Sequence, residues 1–348
     1  MSSLRRVSPR TIYLVARVHG LSTHLFRPED IGSLTRVPDL SSFVQALLDS
    51  DYAPALSKIP SEEVNAVRLT EVFYETLADR FFFITSTTSG SVRRFFEDYA
   101  RRLEVENVKR ILRAKSGGEP IDERALVPIP REYATVNFPA MVSSRGFEDC
   151  VGLLEATIYS PLVDRLGAYK QLGAAVVFEG MLDSIYYGQL WEEAEGLHDG
   201  DIRKRIGYEM DLQNLLLILN LKSRDLPQDV IEKSLIRTYF RLSESAVGDL
   251  VGAKTGSIFE VLLRTYYAKY FSELRNEIQN GLLTKVEHSV LASLYHLNIK
   301  TMGAKPLGLV YTLAYLSLCE FEERNVTAIA TGKQLGLTDD KLYSLLYI

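Results

Sequence analysis

Glu104, Asn107, Val108, Ile111 and Lys115 recur twice further along this chain. They return as Asp211, Asn214, Leu215, Ile218 and Lys222, and again as Glu322, Asn325, Val326, Ile329 and Lys333. The asparagines stand 107 and 111 residues apart. In the first copy Val108, Ile111, Leu112 and Lys115 share one stripe of a helix, with charges opposite. Arg113 and Lys115 suit the negative end of its dipole, and Gly117 is expected to cap it. A period above 100 residues is too long for a solenoid and matches a small helical domain. The 348 residues hold three such units with a short remainder for termini and linkers.

Two further markers keep the same order. Leu47, Ser50 and Tyr52 return as Leu154, Thr157 and Tyr159, then as Leu262, Thr265 and Tyr267. An acid precedes an apolar-aromatic stretch at Glu71, Glu179 and Glu287, each 108 residues from the last. The expected architecture is all-α: three similar helical domains with pseudo-threefold symmetry. Their boundaries are set at 1–120 (with an N-terminal helix), 121–228 and 229–348.

Helical periodicity covers 64–78, 94–115, 208–222, 257–283 and 286–299. Loop signals fall at 86–91, 116–122, 127–131, 196–201 and 223–228. Strand-like alternation is scarce. The run Phe81-Phe-Phe-Ile84 fits either a short strand or a buried helix end.

An asparagine inside an amphipathic helix lowers its propensity, so each copy needs a compensating contact. Two readings stand for Asn107, Asn214 and Asn325 and the acids before them, Glu104, Asp211 and Glu322. They lock a junction within each unit, the usual fate of buried amides, or they face one axis and touch a partner. Lys115, Lys222 and Lys333 lie on the apolar side near helix ends. Buried stems and the helix dipole explain them without a partner, and contact with a partner is the second reading.

Composition narrows the class. Apolar residues at 46% and a net charge of −5 argue against disorder. Forty Lys+Arg against 45 Asp+Glu leave no basic excess, so nucleic acid is not an expected partner. Cys150 and Cys319 allow one disulfide at most, which suits a reduced compartment. The start, MSSLRRVSPR, is basic without a following apolar stretch, so no secretory signal is expected. The longest uncharged run, residues 306–319, is 14 residues long, short of the roughly 20 a spanning helix needs.

The search for chemistry returns little. Gly248-Asp-Leu-Val-Gly252-Ala-Lys254-Thr255 lacks the glycine before the lysine of a phosphate loop, and its first spacing is one short. Gly332-Lys333 fails likewise. The five histidines show no H-x-x-x-H spacing, so no metal site is expected. The acidic run Trp191-Glu-Glu-Ala-Glu195 reads as a solvated face. No cofactor and no catalytic residue are expected. An enzyme site has no reason to recur three times, whereas architecture does. A free-standing helical scaffold, holding another protein in its concave surface, is the alternative from a different class.

Tyr13-Leu-Val-Ala-Arg17-Val18, the 47–52 segment, the triplicated element and the stretch Glu322-Glu-Arg-Asn-Val-Thr-Ala-Ile-Ala-Thr-Gly-Lys-Gln-Leu-Gly-Leu337 together carry a family resemblance. They closely resemble the C subunit of archaeal A-type and bacterial V-type ATP synthases, the counterpart of the d subunit in eukaryotic vacuolar ATPases. The departures are His19-Gly20 where the family has a further basic residue, and Asp211 and Leu215 in place of Glu and Val. The resemblance implies a non-catalytic rotor part whose three helical domains form a funnel. Its wide side would receive the central-stalk shaft, and its base would sit on the membrane proteolipid ring. That implies a peripheral position at the cytoplasmic face of the membrane, within the ATP synthase complex.

Overall fold

A computed structural model describes residues 9–167 and 175–348 of the chain. The basic start of the sequence up to Ser8 lies outside the described residues. Among them every regular element is helical, and Phe81-Phe-Phe-Ile84 belongs to a helix.

The helices are α1 (Pro9–Ser22), α2 (Pro28–Leu34), α3 (Leu40–Leu47), α4 (Ala53–Leu56), α5 (Ala66–Thr87), α6 (Gly90–Gly117), α7 (Phe138–Ser143) and α8 (Phe147–Gly152). They continue as α9 (Ala175–Gly196), α10 (Gly200–Ser223), α11 (Gln228–Ser234), α12 (Glu244–Gly252), α13 (Ile258–Leu262), α14 (Ala268–Phe271), α15 (Arg275–Gln279), α16 (Leu283–Ala304), α17 (Leu309–Gln334) and α18 (Asp339–Tyr343). The three copies of the repeated element lie on α6, α10 and α17, long helices of 28, 24 and 26 residues.

Local chemistry sets many starts. Asp39, Asn65, Asn137 and Ser243 each accept a backbone N–H three residues on, at α3, α5, α7 and α12. Asp199 does the same for two N–H groups at the head of α10. The ends of the three long helices are alike. Gly118 (φ 68°), Asp225 (φ 53°) and Gly336 (φ 68°) adopt the left-handed conformation. In each case a residue just past the end donates its N–H five residues back: Glu119 to Ala114, Leu226 to Leu221 and Leu337 to Gly332. This is the Schellman stop. Gly117 is therefore the last helical residue, and Gly118 takes the capping role expected of it. Only a residue tolerant of positive φ can sit there.

The expected single helix over 257–283 is broken into α13, α14 and α15. Thr265 accounts for the first break. Its hydroxyl donates to the Leu262 carbonyl and accepts the Tyr267 N–H, so it competes with helix continuation. Gly281, at φ 67°, follows the end of α15. The apolar period survives because the short helices follow one another with their apolar faces still covered.

The chain divides into two compact units. One comprises Met1–Arg93, Arg124–Pro128 and Leu294–Ile348; the other comprises Arg94–Glu123 and Ile129–Ser293. In the first, α5 packs along α17, and Phe43, Leu47, Tyr52, Phe73, Val326 and Ile329 form the centre of a core. The ring of Tyr52 meets Phe73 edge-on at 5.1 Å. In the second, Phe147 and Phe178 make a similar contact at 5.1 Å, and Cys150, Leu154 and Leu182 are fully buried. The Cys150 and Cys319 thiols are both buried and free, and burial pushes Cys319 up to about 12.

Candidate functional site

The three copies share more than a pattern. Each acid is buried and accepts a phenolic O–H from the tyrosine of the second marker. Tyr159 donates to Glu104 at 2.9 Å, Tyr267 to Asp211 at 2.7 Å, and Tyr52 to Glu322 at 3.0 Å. In Leu-x-x-Ser/Thr-x-Tyr, the Ser50, Thr157 and Thr265 hydroxyls donate to the Leu47, Leu154 and Leu262 carbonyls at 2.6–2.7 Å. The same hydroxyls accept the N–H of Tyr52, Tyr159 and Tyr267. This small turn aims the phenol at the acid. Burial, then the adjoining carboxylate, pushes all three phenols above their ordinary range, so they stay protonated donors.

The remaining lone pairs of each acid take N–H groups from the segment leading into a short helix. Glu104 accepts the N–H and hydroxyl of Thr135, both at 2.6 Å, ahead of α7. Asp211 accepts the N–H groups of Phe240, Arg241 and Leu242, ahead of α12. Glu322 accepts the Phe26 N–H at 2.7 Å, ahead of α2. A buried carboxylate needs such a ring of donors to offset the loss of water.

The lysines complete the pattern from the other end of the same short helices. Lys115 Nζ donates to the carbonyls of Val142 and Ser144 at 2.6 and 2.7 Å, at the end of α7. Lys222 Nζ reaches the Val251 carbonyl at 2.7 Å, in the last turn of α12. Lys333 Nζ reaches the Thr35 carbonyl at 2.6 Å, beyond α2. Each long helix thus holds a short one at both ends: a carboxylate faces its N-terminal side and an ammonium its C-terminal carbonyls. Both placements complement the dipole of the short helix.

The asparagines point inward. Asn214 exchanges two hydrogen bonds with the backbone of Ile236, both at 2.9 Å. Asn325 grips Tyr347 in the same way, at 3.2 and 2.8 Å. Both partners lie 22 residues on, and Asn107 is fully buried at the matching position. The third sequence marker makes no shared contact: Glu71 pairs with Arg68, Glu179 with Arg113, and Glu287 is exposed.

One copy carries an added cation. Arg80, buried on α5, donates to Glu322 at 2.7 Å and to Asp51 at 3.1 Å, and Asp51 in turn meets His24 at 2.8 Å. Burial opposes the charge on Arg80, and the Glu322 carboxylate more than offsets it, holding the guanidinium charged. Sequence reasoning missed this residue, although a cation beside Asp79 in the otherwise apolar stretch 77–84 is a signal for it. A second cluster sits on α10, where Glu209 accepts from Arg102, Arg205 and Tyr187. Burial works against ionisation there, and the two guanidinium groups with the phenol overcome it, holding the carboxyl at about 2.

The acid, phenol and lysine of each copy spend their hydrogen bonds inside the fold, which makes them joints, whereas the buried Nε of Arg80 has no hydrogen-bond partner among the described residues. Among the described residues no group of three or more His, Cys, Asp or Glu side chains is placed to hold a metal ion. Likewise, no helix among them is long and apolar enough to cross a membrane.

Comparison with known proteins matches residues 14–345 to the ATP synthase (C/AC39) subunit family. The A-type ATP synthase C subunit of Methanocaldococcus jannaschii is 25% identical over 96% of this chain and 85% of its own length. That of Methanobrevibacter smithii is 23% identical, covering 95% and 86%. The Halorubrum lacusprofundi protein of the same name is 23% identical over the full length of both chains.

Proposed function

The chain belongs to the ATP synthase (C/AC39) subunit family, and on that footing we propose that it is a non-catalytic central-stalk adaptor of an A/V-type rotary ATP synthase. In this role it joins the membrane proteolipid ring to the rotating shaft and transmits torque for ion-coupled ATP synthesis or hydrolysis. It is held peripherally at the cytoplasmic face by protein contacts.

The observation that carries this reading is the order of the three acid–tyrosine joints. Glu104 of repeat 1–120 takes Tyr159 of repeat 121–228. Asp211 of that repeat takes Tyr267 of 229–348, and Glu322 of the last takes Tyr52 of the first. The links run from each repeat to the next and then back to the start. That succession supports three helical domains about a pseudo-threefold axis, the funnel that the family resemblance implies. An adaptor under torsion needs stiff, close-packed joints more than reactive groups. Glu104, Asp211 and Glu322, Asn107, Asn214 and Asn325, and Lys115, Lys222 and Lys333 then serve as internal fasteners of that frame and leave partner contact to other residues.

Affinity purification of the tagged chain from detergent-solubilised membranes tests the proposal. The expected result is co-purification of the proteolipid ring and the shaft proteins. An intact ring-plus-stalk rotor isolated without this chain would overturn it.

A further inference from the structure

Around the joint of Asp211 and Tyr267, one face of the second unit carries aromatic rings and cations that take no part in its hydrogen bonds through their side chains. Tyr208 on α10 and Tyr266, next to the joint tyrosine, stack at 5.8 Å, and their hydroxyls meet at 2.8 Å. Tyr266 is half exposed, at 52%. Three cations converge on this pair. Arg241 lies over the Tyr266 ring at 5.6 Å, Lys204 over Tyr208 at 5.7 Å, and Lys269 over the neighbouring Tyr270 at 4.8 Å. The Tyr208 hydrogen bond, followed by the charges of Arg241, Lys269 and Lys204, draws the Tyr266 phenol below its ordinary range against the effect of burial.

None of Lys204, Arg241 and Lys269 makes an ion pair among the described residues. Glu244 and Glu273, three and four residues from Arg241 and Lys269, are exposed and pair with neither, and other acids are already engaged. Glu209 holds Arg102 and Arg205, Glu195 meets Arg203, and Asp211 is consumed by the joint. In a chain of net charge −5, these three exposed cations, with no ion pair of their own, gather on an aromatic base. Tyrosine and arginine are also the residues that concentrate binding energy at protein interfaces.

We propose that Lys204, Arg241, Lys269 and Tyr266 form a docking surface for an acidic segment of a partner protein. Charge complementarity selects the carboxylates, and the one phenol O–H not spent on the Tyr208–Tyr266 bond adds a donor between the cations. A lipid surface fits less well. Membrane-seeking patches flank their cations with protruding aliphatic or Trp side chains, and Tyr266 is the one large exposed apolar side chain among the elements that form this patch. A nucleic acid fits less well too, because stacked bases need open ring faces, and these rings cover each other and lie under cations. The inference concerns the chemistry that docks here and stands apart from the adaptor reading.

The test uses the full chain and a synthetic Glu-rich helical peptide, joined by a carbodiimide that links carboxylates to amines in contact. Peptide mapping should find the new amide bonds concentrated on Lys204 and Lys269, at least about fivefold above other exposed lysines. Arg241→Glu, which removes no coupling site, should lower that yield by a similar factor. Lys204→Gln, read by fluorescence anisotropy of the labelled peptide, should weaken binding in a variant that leaves the joint untouched. Coupling spread evenly over surface lysines, no coupling at all, or unchanged yield in Arg241→Glu overturns the proposal. So does displacement of the peptide by phosphatidylglycerol vesicles or a single-stranded oligonucleotide at lower concentration than the peptide itself needs.

Discussion

Tyr52 donates its phenolic hydrogen to Glu322 at 3.0 Å across 270 residues of sequence. The equivalent bonds at Tyr159–Glu104 and Tyr267–Asp211 span 55 and 56 residues. One joint type therefore closes two local loops and one that spans most of the chain. Closing the long loop carries a larger entropy term, although the logarithmic dependence keeps the difference to about 1–2 kcal/mol.

Tyr159→Phe, Tyr267→Phe and Tyr52→Phe should each destabilise the chain, because each removes a hydrogen bond to a buried carboxylate worth about 1.5–3 kcal/mol. Tyr159→Phe should be the most severe. Glu104 then retains only Thr135, whereas Asp211 keeps three backbone N–H groups and Glu322 keeps Phe26 and Arg80. Denaturant titration of the three variants reads the order; equal, near-zero losses would show that the phenols contribute packing alone.

Arg80→Met should lose about 3–5 kcal/mol, since it strands the Glu322 carboxylate in the core and leaves Asp51 without its guanidinium. Adding Glu322→Gln should recover part of that loss, giving a coupling of at least about 1 kcal/mol in a double-mutant cycle. Additive effects would mean that the pair is not energetically linked.

At the end of α10, Asp225 holds φ 53° where the two sister helices have glycine. A left-handed L-residue carries strain of about 1–2 kcal/mol that glycine avoids, partly offset by the freedom glycine adds to the unfolded chain. Asp225→Gly should therefore stabilise the protein by up to about 1 kcal/mol, seen as a higher melting temperature. A lower one would show that the Asp225 carboxylate makes a contribution of its own.

Glu209 adds a pH dependence whose sign is set by its lowered carboxyl. Its folded-state value of about 2 lies below the ordinary 4.5. Its contribution is therefore fully present above about pH 4.5 and is lost as the pH falls towards 2. The shift corresponds to about 3 kcal/mol at neutral pH. Over that window the wild type should lose more stability than Glu209→Gln, measured by urea unfolding at a series of pH values. Parallel profiles would remove Glu209 from the acid transition.

Much of this protein can be read before any coordinate is known. The helical class, the three copies on α6, α10 and α17, and the marker residues Glu104, Tyr159 and Lys115 with their counterparts all follow from spacing, because helix period and repeat length are written in one dimension. The family follows from the same segments. What α6 does with its acid and lysine could not be read, nor that the last acid returns to Tyr52 at the other end of the chain. Arg80 and the left-handed Asp225 escaped for related reasons: the sequence flags a cation in an apolar stretch but not the buried acid it meets, and it does not record the backbone angle of Asp225. The single helix expected over 257–283 failed because Thr265 bonds its own neighbours, a choice that periodicity does not register. Spacing along a chain records which face a residue lies on. Which buried donor finds which buried acceptor depends on distances that exist only after the helices have packed, when every carboxylate taken from water must be matched.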